Sequence, residues 1–327
     1  MDLATVWFLA IALLWTGYLV LEGFDFGVGM LLPSVGRDEP GRRTMINAIG
    51  PVWDGNEVWL ITAIGAMFAA FPAWYAAVLS GFYLPVLLVV VALVFRGVAF
   101  EYRGKIDSPA WRRRWDAAIV GGSLVPAFGW GLVFANMLRG VEIGADGVVR
   151  SSLPDLLSPY ALLGGLATTA LFVLHGALFL GLKTDGPVRQ RARAAARRAA
   201  FVAVPVVGGF LAWTVHDRGT GVVAAVAAVV LLLAAVGCAA RRREGWAFAA
   251  TATAVVAVSV VVFTGLHPEL LPSLVDPAYA LTVADASSAP YTLGILSAVA
   301  AVFLPLVIGY QAWSYWVFRK RVHVEAA

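Results

Sequence analysis

Trp53-Asp54-Gly55-Asn56-Glu57-Val58-Trp59 opens an apolar run that continues to Ala70, and it sets two carboxylic acids where the chain otherwise reads as membrane-spanning. A charged side chain in hydrocarbon costs several kcal/mol, about 2.5–3.5 on insertion scales. Such acids face a protein interior, pair with a partner, or handle ions and protons. A further acid, Asp25, sits inside the preceding apolar run in Glu22-Gly23-Phe24-Asp25-Phe26-Gly27.

Composition sets the class. The chain is 61% hydrophobic and 13% charged, with a mean hydropathy of +0.82. A soluble domain carries about 25% charged residues, so this is an integral membrane protein. The apolar runs do not alternate with period two, and a span of about 20 apolar residues is helical. Twelve Trp and nine Tyr suit interfacial belts. The single Cys, Cys238, excludes an intramolecular disulfide and a CxxC metal site. The net charge of +4 does not indicate nucleic acid, because the basic residues form short clusters between apolar runs.

The expected fold is all-α: a single integral membrane domain over 1–327 with nine transmembrane helices. The spans are read at 5–32, 51–70, 75–97, 117–137, 158–181, 199–216, 220–240, 246–264 and 292–317. Two four-helix bundles plus one peripheral helix is the expected grouping, with the long outer loop before residue 292 setting the last helix apart. The first run has no basic segment before it and no small-residue cleavage site after it, so it reads as a span rather than a signal peptide. Arg37, Arg42 and Arg43 occupy the first loop; Arg103, Lys105 and Arg112 to Arg114 the third. Lys183, Arg189, Arg191, Arg193, Arg197 and Arg198 occupy the fifth, Arg241 to Arg243 the seventh, and Arg319 to Arg321 the tail. The even loops hold only Arg139, Arg150 and Arg218. By the positive-inside rule the N-terminus is outside and the C-terminus cytoplasmic.

That orientation gives the acids a depth. Asp25 falls in the cytoplasmic third of the first span, Asp54 and Glu57 in the first two turns of the second, and Arg96 at the cytoplasmic end of the third. Tyr18, Glu22 and Asp25 share one helical face, as do Asp54 and Glu57. Glycines at 17, 23, 27, 29 and 55 allow close helix approach. Asp25, Asp54 and Glu57 are therefore the candidate proton-handling acids. First-turn acids are also favoured by the helix dipole, so the blander reading makes Asp54 and Glu57 terminal residues paired with Arg96. Arg96 and Glu101 are candidates for a structural ion pair or relay, with Arg103 also within reach at that helix end.

His175 is the one His well inside a span. A hydrogen-bonded packing role competes there with a proton relay or a quinone contact. One interior His and a few scattered Met cannot ligate several haems, and no Walker A loop, dinucleotide fingerprint or HExxH motif is present. Any redox cofactors belong to a partner.

Three segments together resemble subunit II of cytochrome bd-type quinol oxidase. They are Gly23-Phe24-Asp25-Phe26-Gly27, the Trp53-to-Trp59 stretch, and Phe95-Arg96-Gly97-Val98-Ala99-Phe100-Glu101-Tyr102-Arg103. Beyond residue 140 the resemblance rests on span pattern, with Pro159-Tyr160 and His175-Gly176 as echoes. It implies a bacterial inner-membrane terminal oxidase of the aerobic respiratory chain that oxidises quinol (menaquinol or ubiquinol) and reduces oxygen to water. Haem b and haem d would be held by subunit I, the partner in a heterodimer. This chain would be haem-free, with no metal of its own, surrounded by membrane lipid. It would support subunit I and contribute Asp25 and Asp54 to a cytoplasmic proton path. A structural quinone and a small accessory subunit are further expectations. Two other readings compete with it: a proton-coupled secondary transporter, and a scaffold whose acids serve helix pairing.

Overall fold

The computed structural model describes residues 2–323. Asp2 caps the first helix, α1 (Leu3–Val35), by accepting from the Thr5 amide at 2.7 Å. A short α2 (Glu39–Ile49) lies across its C-terminal end, followed by α3 (Trp53–Ala70) and α4 (Pro72–Gly81). The hairpin of α5 (Tyr83–Tyr102) and α6 (Pro109–Arg139) follows. Then come α7 (Pro159–Lys183), α8 (Gly186–Arg218), α9 (Val222–Ala240) and α10 (Glu244–Gly265). Beyond them lie β1 (Glu269–Leu271), β2 (Leu281–Thr282), a single turn α11 (Val283–Ala286), and finally α12 (Pro290–Val317). Proline stands in the first turn of α2, α4, α6, α7, α8 and α12, where its missing N–H removes no helical bond.

Among the described residues, eight helices are long and apolar enough to cross a membrane: α1, α5, α6, α7, α8, α9, α10 and α12. The expected second span appears as α3, whose 18 residues open with Asp54, Asn56 and Glu57 and so fall outside that group. The third differs from its expected position at 75–97. Residues 72–81 form α4, the chain turns at Phe82, and the crossing helix begins at Tyr83, with Pro85 in its first turn. Arg96 accordingly lies six residues inside α5 instead of at its end. The Arg-rich fifth loop is helical as well, because Ala and Arg are strong helix formers and Pro187 starts α8 well before the apolar part.

α1 is the hub. Tyr18, Glu22, Phe24, Asp25, Phe26 and Val28 are all buried, and the helix packs on α3, α6, α7, α10 and α12. Its crossing with α7 is a backbone contact. A Cβ on Gly27 would lie 1.9 Å from the Phe172 carbonyl oxygen, and one on Gly176 2.5 Å from the Gly27 carbonyl carbon. α5 packs on α6, α8 on α7 and α9, and α9 on α10. By contrast α12 buries only Leu293 among its own residues and leans on α1 and α3.

The two ends of the bundle differ. At the end holding the C-termini of α1, α5 and α7, carboxylates and arginines form a clasp. Asp116 accepts from Arg42 (2.9 Å) and Arg103 (2.6 Å), and the Arg103 fork donates to both Glu39 oxygens at 2.8 Å. Arg103 holds the Glu39 carboxyl below the ordinary carboxylate range. At the opposite end the connections around 141–151 and 267–286 fold back. Val141 bridges Ser273, Ile143 bridges Val149, β1 pairs antiparallel with β2, and Leu270 and Leu271 are fully buried. The all-α expectation therefore acquires one small two-stranded sheet.

Candidate functional site

α1, α3, α5 and α12 each send a polar side chain to one point in the bundle. Glu22 and Asp25, Asn56, and Arg96 are all fully buried. α5 approaches α6 closely beside Arg96, because Gly122 has no Cβ; an added one would lie 2.6 Å from the Arg96 Cβ. The Arg96 guanidinium pairs with the Glu22 carboxylate and sits over the rings of Phe26 (4.9 Å) and Phe100 (5.2 Å). Asn56 is the junction of the other half. Its Nδ2 donates to Asp25 Oδ2 at 2.6 Å and to the Leu21 carbonyl at 3.3 Å. Its Oδ1 accepts from Gln311 Nε2 at 2.9 Å and from the Tyr315 hydroxyl at 2.8 Å. Thus α12, the least buried of the long helices, reaches the cluster with two side chains one turn apart.

Satisfaction is incomplete at four buried atoms. Glu22 Oε2, Asp25 Oδ1, and Arg96 Nε and Nη2 have no hydrogen-bond partner among the described residues. Asp25 Oδ1 is a free acceptor, beside an Oδ2 already committed to Asn56.

The sequence-derived acids occupy three environments. Asp25 is at the centre. Glu57 is half-buried at the margin, and Asp54 is exposed on the outward side of α3. Among the described residues neither Glu57 nor Asp54 makes a side-chain hydrogen bond or an ion pair, so neither is the Arg96 partner. That partner is Glu22. The cause is helical geometry: at 3.6 residues per turn Asp54 and Asn56 point about 200° apart, so turning Asn56 inward turns Asp54 outward. Glu101 is exposed and does not pair with Arg103, which instead binds Glu39 and Asp116; residues two apart on a helix face different ways. The junction residues Asn56, Gln311 and Tyr315 carry no charge that would single them out in an apolar sequence. Only the i, i+4 spacing of the last two was there to be seen.

His175 lies elsewhere, between α1, α7 and α10. Its Nδ1 is 2.8 Å from the Thr251 hydroxyl, its Nε2 3.2 Å from the Val20 carbonyl, and its ring stacks on Phe248 at 4.6 Å between centroids. Both nitrogens are engaged and one ring face is covered, so this residue does not fit a haem ligand. A groove of about 460 Å³ runs between the N-terminal half of α1 and the C-terminal half of α10, lined by Phe8, Leu13 and Phe263 with Thr16, Ser259 and His267.

The family model described as Cytochrome bd terminal oxidase subunit II matches residues 3–318. Cytochrome bd ubiquinol oxidase subunit 2 of Bacillus subtilis (strain 168) is 43% identical over 329 residues, covering 98% of this chain and 97% of that protein. Cytochrome bd-I ubiquinol oxidase subunit 2 of Escherichia coli (strain K12) is 35% identical over 360 residues, covering 98% of this chain and 95% of that protein. A chain in the structure of bd oxidase from Geobacillus thermodenitrificans matches with a TM-score of 0.78, covering 97% of this chain and 99% of that one. At 20% identity this last likeness speaks to the fold.

Proposed function

The chain belongs to the cytochrome bd terminal oxidase subunit II family, and on that premise we propose that its buried cluster moves cytoplasmic protons within a quinol oxidase whose haems lie on subunit I. The single observation that carries this reading is Asp25: fully buried, with Oδ2 held by Asn56 and Oδ1 without a partner. With Glu22 paired to Arg96, Asp25 is the carboxyl left to take up and release a proton, at Oδ1. Glu57 and Asp54 lead from this centre to the outside of α3, with Asp54 at the mouth of the path. Subunit I supplies the haem chemistry that reduces oxygen; this chain orients Asp25 and balances its charge.

In the same reading α3 crosses the membrane as the ninth span, in an electrogenic complex of the cell membrane. α1, α3, α5 and α6 form one four-helix bundle, α7 to α10 a second, and α12 stands at the periphery. The Arg-rich clasp faces the cytoplasm and the N-terminus lies outside. Asp25 then sits ten residues from the cytoplasmic end of α1, about 15 Å deep. The groove between α1 and α10 is open and apolar enough to suit a structural quinone, and quinol oxidation itself is assigned to the complex. No observation favours a secondary transporter.

Asp25→Asn in the assembled complex tests the proposal. Turnover and proton uptake should fall by about a hundredfold or more with haem content intact, the scale of a lost general acid–base group. Unchanged turnover per haem would leave Asp25 a packing residue. Asp54→Asn tests the mouth separately; normal proton uptake in that variant removes Asp54 from the path.

A further inference from the structure

Away from the acid cluster, the C-terminal ends of α7 and α9 and the N-terminal parts of α8 and α10 enclose a cavity of about 250 Å³. Small residues make the space: Ala177 and Gly181 on α7, Ala196 on α8 and Ala239 on α9. Arginine makes its charge. Arg193, Arg197 and Arg242 line it together with one carboxylate, Glu244. That carboxylate is already taken, accepting from Arg189 Nη2 at 3.0 Å and Arg193 Nε at 2.7 Å. Arg197 and Arg242 form no ion pair or side-chain hydrogen bond among the described residues. Two uncommitted guanidinium groups thus face an apolar-floored cavity, an arrangement complementary to the oxygens of a phosphate.

The level of the cavity indicates which phosphate. On α8 the Arg-rich turns give way to apolar ones just past Arg198, and Phe201, one turn beyond Arg197 on the same face, is 84% exposed. Trp246, in the first turn of α10, is 71% exposed. An exposed Trp beside arginines, with exposed apolar residues immediately beyond, marks the boundary between headgroups and hydrocarbon. We propose that this cavity binds an anionic phospholipid, its phosphate held by Arg197 and Arg242 and its acyl chains lying along the Phe201 face of α8. Basic pockets between helix ends suit such headgroups. The proposal needs only that this end of the bundle lie at a membrane surface. It is independent of the proton path.

The test uses the assembled oxidase in nanodiscs of equal parts phosphatidylglycerol and phosphatidylcholine, released into a native mass spectrometer. The complex should retain phosphatidylglycerol in preference to phosphatidylcholine, and Arg197→Ala with Arg242→Ala should cut that retention about tenfold. Arg319→Ala, which removes an exposed arginine stacked on Trp316 at the same end, should change it less than about twofold. Retention should persist in excess inorganic phosphate; complete displacement assigns the cavity to free phosphate and overturns the proposal. Equal retention of the two lipids, or equal losses in the double variant and Arg319→Ala, overturns it too. Should the double variant fail to assemble, Arg197→Gln and the wild-type lipid preference decide in its place.

Discussion

Two polar sites of the helical interior are equally buried but unequally satisfied. Around His175, both ring nitrogens have partners and the ring stacks on Phe248. Around Asp25, four polar atoms of Glu22, Asp25 and Arg96 have none among the described residues. A closed hydrogen-bond set fixes one packing and resists change, whereas a buried carboxyl with a free oxygen carries an uncompensated desolvation cost. The sequence offers His175 and Asp25 as comparable interior polar residues. Their surroundings differ, and the proposed proton role of Asp25 rests on that difference.

The largest break in this comparison is at Arg96. Arg96→Met leaves Glu22 buried without its cation, and removing one partner of a buried pair costs about 3–5 kcal/mol. We expect little or no assembled complex, read as haem-containing heterodimer per unit membrane. Glu22→Gln added to Arg96→Met should restore part of that yield, since neither side chain is then a buried lone charge. No restoration would show that Arg96 acts through its stacking on Phe26 and Phe100 instead.

At the second site, His175→Phe removes two hydrogen bonds and keeps an aromatic ring against Phe248. At about 1 kcal/mol per bond the expected loss is about 2 kcal/mol of stability, seen as a lower thermal midpoint, with turnover per haem unchanged. A fall in turnover per haem at normal stability would erase the distinction between the sites and make His175 a relay.

Much of the fold was legible because hydrophobic length and loop arginines are local signals. The spans read at 158–181, 220–240 and 246–264 lie within two residues of α7, α9 and α10 at each end. The start of α5 was not legible, because residues 75–95 carry no charge and only a one-residue break at Phe82 divides them into two helices. For the site, Asp25 and its shared face with Tyr18 and Glu22 could be read from spacing. The pairing of Glu22 with Arg96 could not, since it depends on how α5 turns against α1. Likewise nothing local marks Gln311 and Tyr315, which matter only because α12 returns to α3 some 250 residues after Asn56. Asp54 and Glu57 stand out in the sequence as charges, while the neutral Asn56 between them makes the inward contact.

A smaller change probes the junction itself. Tyr315→Phe removes one of two donors to Asn56 Oδ1, and Gln311 still holds it. We expect about 1 kcal/mol of stability lost and turnover reduced less than about threefold. Gln311→Leu alone should behave similarly. Combined, the two should cost more than their sum, because only then is Asn56 Oδ1 left bare and its Nδ2 free to swing from Asp25. Strict additivity would mean that α12 merely covers the cluster.

The smallest effect belongs to a third kind of polar site, the clasp at the helix ends, where every charge is paired but water is near. Arg103 donates to both oxygens of Glu39 and holds its carboxyl below the ordinary range. A carboxyl lowered in the folded state adds stability above its unfolded value, about pH 4.3, and that contribution is lost as pH falls through the lower folded value. Glu39 keeps 31% of its side chain exposed, so solvent screening limits the contribution to under about 1 kcal/mol. Thermal midpoints of wild type and Glu39→Gln, compared from about pH 6 down to about pH 3, should start apart and converge at the acid end. Parallel curves would mean that the Glu39 fork gives α2 no net hold on α5.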